Sequence, residues 1–110
     1  MARVDEVIEA KARKALQVVN RSVTVVAAYL FGSQITGNAD RWSDIDLAVF
    51  AEGVEAWDLR DRAKAAVQVQ KEAGDELEVH FFPASALQEK ARDSAGFATW
   101  ILIHGVEIQA

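Results

Sequence analysis

The stretch FGSQITGNADRWSDIDLAVF, residues 31–50, decides how the chain is read. An apolar run ends at Gly32-Ser33, ten residues intervene, and Asp44 and Asp46 then alternate with Ile45 and Leu47 in what otherwise reads as a core strand. Carboxylates at strand positions cost desolvation unless something cationic sits between them. The segment therefore predicts a strand with one apolar face and one face that carries acids for a purpose.

Working outward, residues 22–31 are rich in Val, Ala, Tyr and Leu and predict a buried strand that stops at Gly32. Residues 34–39 predict one or two helical turns, with Gly37 and Asn38 as breakers, and residues 44–50 the second strand. Upstream, Val4, Ile8, Ala12, Ala15 and Val19 recur at helical spacing over residues 3–20. Downstream, residues 54–73 predict a longer helix with a small-residue stripe at Ala56, Leu59, Ala63 and Ala66, closing near Gly74. A third strand covers residues 76–82 and ends at Pro83. Ser85 and Gln88 have capping-box spacing and predict a helix start. Phe97, Trp100, Ile101 and His104 form a further apolar helical face, with Gly105 as its C-cap. Residues 106–108 would pair as a fourth strand at an edge. Strands alternating with helices predict an α/β domain, a small sheet of three to four strands with helices packed on it.

The bulk properties agree. At 110 residues the chain suits one domain with one core, taken as residues 1–110. Hydrophobic residues make up 51%, too many for a largely disordered chain. Seventeen acids against twelve bases give a net charge of −5, which argues against direct, sequence-independent nucleic-acid binding through phosphates. There are no cysteines, so disulfides and thiolate metal sites are excluded. The amphipathic N-terminus carries early acids and reads as neither a secretory signal nor a transit peptide. No apolar run approaches the ~20 residues of a membrane span, so a cytoplasmic location is expected.

Strand parity then places the chemistry. Ile45, Leu47 and Val49 share one face, and Asp44 and Asp46 the other. In ELEVHFF, residues 76–82, Leu77, Val79 and Phe81 share a face opposite Glu76, Glu78 and His80. If the two strands are neighbours, acids from both meet. Positions i and i+2 lie about 6.6 Å apart along a strand, and their side chains can converge on cations ~3.5–4 Å apart, as two-metal phosphoryl transfer requires. Gly32-Ser33 offers the complementary half, backbone N–H groups and a hydroxyl for an anion, with the glycine allowing close approach.

Gly-Ser, ten residues, Asp-x-Asp and a later third acid resemble the signature of the DNA polymerase β-type nucleotidyltransferase superfamily. The length and the ending HGVEI are similar to its minimal nucleotidyltransferases. The resemblance implies a nucleotidyltransferase fold, Asp44, Asp46 and Glu78 as catalytic metal ligands, with Glu76 the rival third acid, and Gly32 and Ser33 as the nucleotide-binding turn. It further implies Mg²⁺ and ATP, with AMP moved onto an acceptor hydroxyl. Such domains are commonly encoded beside a helical HEPN protein, and several pairs are toxin–antitoxin systems in which the nucleotidyltransferase adds AMP to the toxin. A HEPN-like partner and an antitoxin role are therefore expected. The alternatives are transfer to a small-molecule hydroxyl and a non-catalytic module that neutralises its partner by contact. Where family members often carry arginines after Gly-Ser, this chain has Gln34, Ile35 and Thr36, with Arg41 a local substitute. No second substrate-binding domain is expected, so the acceptor comes from another molecule or a second subunit.

Other residues carry plainer readings. His80 reads as a partly exposed histidine, with substrate contact the sharper alternative. His104 suits the helix dipole. Trp42 either stacks on a base or covers core, Trp57 and Trp100 are packing residues, and the run at 60–64 is a solvated helix face.

Overall fold

The computed structural model describes residues 6–32, 44–88 and 96–108. Helix α1 spans Glu6–Val19 and buries Ala12, Ala15, Leu16, Val18 and Val19. Strand β1 (Thr24–Phe31) follows, then β2 (Ile45–Glu52), helix α2 (Leu59–Ala73), β3 (Leu77–Pro83), helix α3 (Phe97–His104) and β4 (Val106–Glu107). The sheet order is β3-β2-β1-β4, with β2 and β3 parallel and the other pairs antiparallel. The fourth strand is thus present at the edge, continued by Ile108 N–H donating to Ala28 O at 2.9 Å.

Side-chain alternation splits the core into two layers. Ile45, Leu47, Val49 and Ala51 of β2 join Leu77 and Phe81 of β3 under α1 and α2. Ala48 and Phe50 face the other way, with Phe31 and with Ile101 of α3. Among the described residues no polar or charged group is buried, so all the chemistry sits at the rim. Nor, among them, is any helix long and apolar enough to cross a membrane.

Four local expectations are corrected. The helix expected over 54–73 is broken. A 3₁₀ turn at Val54–Ala56 gives way to an extended Trp57, and α2 begins only after Asp58, whose side chain and that of Asp61 form a reciprocal capping box. The restart resets the phase. Ala56 and Ala63 are exposed and Leu59 is 85% exposed, while Val69 is buried and Ala65, Ala66 and Ala73 pack against the core. Ser85 caps nothing, because residues 84–87 form a 3₁₀ turn without a side-chain cap. Gly105 does end α3, but at φ −76° rather than in the left-handed region. Its reason is proximity: a Cβ there would lie 2.6 Å from Ile101 O and 3.0 Å from Leu30 O. The run at 60–64 is also less free than a solvated face, since Arg62 donates to Phe81 O at 2.9 Å.

The C-terminal end of helix α2 is also fixed to its surroundings. Arg21, in the turn after α1, donates to both oxygens of Glu72 at 2.7 and 2.9 Å. Hydrogen bonds from Arg21 and then Gln68 hold the Glu72 carboxyl down at about 2. Gln70 donates to Leu77 O of β3 at 3.1 Å.

Candidate functional site

The parallel pairing of β2 with β3 sets Asp46 opposite Glu78 and Ala48 opposite His80. All three polar side chains emerge on the α3 face of the sheet, because period-two alternation gives positions 46, 78 and 80 the same sense. One ligand atom from each of Asp46, Glu78 and His80 lies within 4.8 Å of the others. His80 Nε2 is 3.3 Å from Asp46 Oδ1 and 4.0 Å from Glu78 Oε1. Asp46 and His80 are half-buried, whereas the Glu78 side chain is 57% exposed. Two carboxylates at this separation repel by roughly 1–3 kcal/mol in a partly solvated setting. Among the described residues no lysine or arginine is paired with either one.

Gly32 closes the other side. It takes φ +86°, a left-handed conformation that glycine adopts without penalty. A Cβ at this position would overlap Asp46 Oδ2 and lie 3.3 Å from its Cγ. Phe31 pairs directly with Asp46 across the β1–β2 ladder, so the chain turns at Gly32 immediately over the carboxylate. The absence of a side chain at Gly32 leaves that space to the Asp46 carboxylate.

The remaining expected positions are distributed as follows. Asp44 is exposed at the residue before β2 and is not one of the three gathered groups. Glu76, the rival third acid, precedes β3 and pairs with Lys11 of α1. The Lys11 hydrogen bond, followed by one from the main chain, lowers the Glu76 carboxyl below its usual range. Glu76 is therefore engaged with α1, and Glu78 is the acid that meets Asp46. Ser33, Gln34, Ile35, Thr36, Arg41 and Trp42 lie outside the described residues.

His80 has a larger place than its sequence reading gave it. Its ring lies 5.1 Å from Phe31 and 6.0 Å from Phe97, centroid to centroid. These aromatic neighbours hold the imidazole with Nε2 toward Asp46. The signal was available in its parity with Glu78. What the sequence did not disclose was that α3 would bring Phe97 and Trp100 against Phe31, at 5.4 and 6.3 Å.

An open arrangement of two carboxylates and an imidazole, beside a glycine turn, can bind a divalent cation and hold an anion against it. No curated protein matches the chain. A Sulfolobus solfataricus protein, crystallised as a candidate nucleotidyltransferase, is similar at 19% identity and a TM-score of 0.49, with 79% of this chain and 82% of that one covered. The family model described as polymerase beta, nucleotidyltransferase matches residues 13–104, and the chain belongs to that family.

Proposed function

We propose that the protein transfers AMP from ATP to an acceptor hydroxyl on a HEPN-like protein partner, as the antitoxin of a cytoplasmic toxin–antitoxin pair. The observation that carries the transfer reading is the meeting of Asp46 and Glu78 across β2 and β3 beside Gly32. The residues fit a divalent cation: among the described residues the two carboxylates have no lysine or arginine partner, only the imidazole of His80, and carboxylate oxygens suit Mg²⁺. Asp46 and Glu78 would hold it, with Asp44, exposed at the residue before β2, as a further carboxylate for it. Bound there, the cation would neutralise charge on the triphosphate and on the leaving pyrophosphate.

The protein's own groups do the rest. The turn at Gly32 and Ser33 receives the triphosphate, since a glycine backbone admits phosphate oxygens closely. Glu78, the most exposed of the gathered side chains, accepts the hydrogen bond of the acceptor hydroxyl and takes its proton as attack proceeds. The acceptor oxygen bonds to the α-phosphorus, the bond from that phosphorus to the pyrophosphate oxygen breaks, and pyrophosphate departs. Alignment of acceptor and nucleotide supplies much of the barrier lowering. A partner protein that brings its own hydroxyl to the site provides that alignment.

The test is intact-mass spectrometry of the co-expressed helical partner after incubation with ATP and Mg²⁺. We expect one or more added AMP groups with the wild type and none with Asp46→Asn. A partner that is inhibited yet unmodified would sink the transfer reading in favour of neutralisation by contact. Brisk modification of an aminoglycoside-type hydroxyl would redirect it to a small-molecule acceptor.

A further inference from the structure

We infer that His80 is a direct ligand of the cation, and that its imidazole makes this centre prefer Mn²⁺ over Mg²⁺. The need for a cation rests on the nucleotidyl-transfer reading; the choice of cation rests on His80. Mg²⁺ favours an all-oxygen octahedron, whereas imidazole nitrogen suits transition metals that follow Mg²⁺ in softness.

Three observations point to ligation. The first is distance. Donors about 2.0–2.2 Å from one ion stand about 3.0–3.6 Å apart in octahedral or tetrahedral arrangements. His80 Nε2 is 3.3 Å from Asp46 Oδ1 and 4.0 Å from Glu78 Oε1, so a small rotation of the exposed Glu78 side chain completes a three-donor set. The second is orientation. Phe31 and Phe97 pack against the ring at 58° and 79°, which fixes Nε2 toward the carboxylates at little further entropic cost on binding. The third is register. His80 sits two residues beyond Glu78 on a strand paired in parallel with the one that bears Asp46. The three donors therefore come from two adjacent strands of one sheet, a rigid base for a metal site.

The competing role for His80 is a hydrogen bond that merely positions Asp46. The two roles differ in what a change of metal reveals. A positioning histidine affects every cation held by Asp46 alike, and a side chain that keeps the N–H donor restores it. A nitrogen ligand affects Mn²⁺ far more than Mg²⁺, and an amide does not replace it.

The experiment uses the full chain without nucleotide. Mn²⁺ affinity is measured by electron paramagnetic resonance, Mg²⁺ affinity by competition against it, and nitrogen ligation by pulsed resonance, which detects strong coupling to a bound ¹⁴N. The wild type should bind Mn²⁺ more tightly than Mg²⁺ and show the coupling. His80→Ala and His80→Gln should each lose Mn²⁺ affinity by about 10–100-fold, lose the coupling, and change Mg²⁺ affinity far less. Circular dichroism confirms that both variants fold. Equal losses for the two metals, recovery by His80→Gln, or a folded wild type that binds no Mn²⁺ would each overturn the inference. Because ATP and partner are absent, failure of AMP transfer leaves this outcome untouched. AMP transfer with Mg²⁺ by a wild type lacking the nitrogen coupling would defeat this inference alone.

Discussion

Replacing Gly32 by alanine tests the closest approach in the site, and its cost divides into two parts. The first is conformational: φ is +86°, and an L-residue held in left-handed backbone loses about 1–2 kcal/mol. The second is steric. The new methyl group would overlap Asp46 Oδ2 with Cγ only 3.3 Å away, forcing the carboxylate off its rotamer at about 0.5–1.5 kcal/mol. Together these predict a loss of about 1.5–3.5 kcal/mol, or a fall in Tm of roughly 6–28 °C for a domain near this size. Urea unfolding followed by circular dichroism measures it. The two parts separate in a cycle with Asp46→Ala, which removes the obstructing carboxylate. In that background Gly32→Ala should cost only the backbone part, leaving a coupling of about 0.5–1.5 kcal/mol. If Gly32→Ala costs the same with and without the Asp46 side chain, the turn does not lie over the carboxylate as described.

Gly105→Ala should cost about 1–3 kcal/mol through overpacking, because Ile101 O and Leu30 O lie 2.6 and 3.0 Å from the new Cβ and neither moves freely. Hydrogen exchange should show the Ile108 amide losing protection first, and unchanged protection there would contradict the proximity argument. Glu76→Gln should lower stability only modestly at about pH 7, by ~0.2–1 kcal/mol, because Lys11 and Glu76 are both partly exposed. The Glu76 carboxyl is lowered in the folded state, so its contribution is present above the ordinary value of 4.5 and disappears as pH falls through the lowered value. Wild type and variant should therefore converge in acid. A gap that widens there would refute the pairing.

Strand parity was the most legible part of this chain. Period two leaves no freedom of phase, so the alternation in IDLAVF and LEVHFF correctly put Asp46, Glu78 and His80 on one face and Leu47, Val79 and Phe81 on the other. Helical phase was less legible. Residues 54–73 contain five alanines scattered over several candidate stripes, and only the restart after Asp58 selects the one through Val69. Glu76 and Glu78 are equivalent by parity. What separates them is that Glu76 stands before β3 begins, within reach of Lys11, and this depends on how α1 lies across the sheet. Asp44 has a similar position before β2, where the pleat no longer dictates its direction. Gly105 was recognised as a terminator for the wrong reason, since the close approach of β1 is a tertiary fact.

The two side chains that α2 lends to β3 have a consequence for association. In a parallel pair, alternate residues of a strand turn their polar backbone groups toward the neighbour and the rest turn away. Glu76 O accepts from Ile45 N, so Leu77 O and Phe81 O point outward, and Gln70 and Arg62 occupy them. An unguarded edge invites a foreign strand to extend the sheet, the first step toward fibrils or swapped dimers. Here the helix supplies the acceptors' hydrogens from within the same chain. At the opposite margin β4 is only two residues long, too short to template an incoming strand. A protein that docks on this fold is thus directed away from sheet extension and toward side-chain recognition.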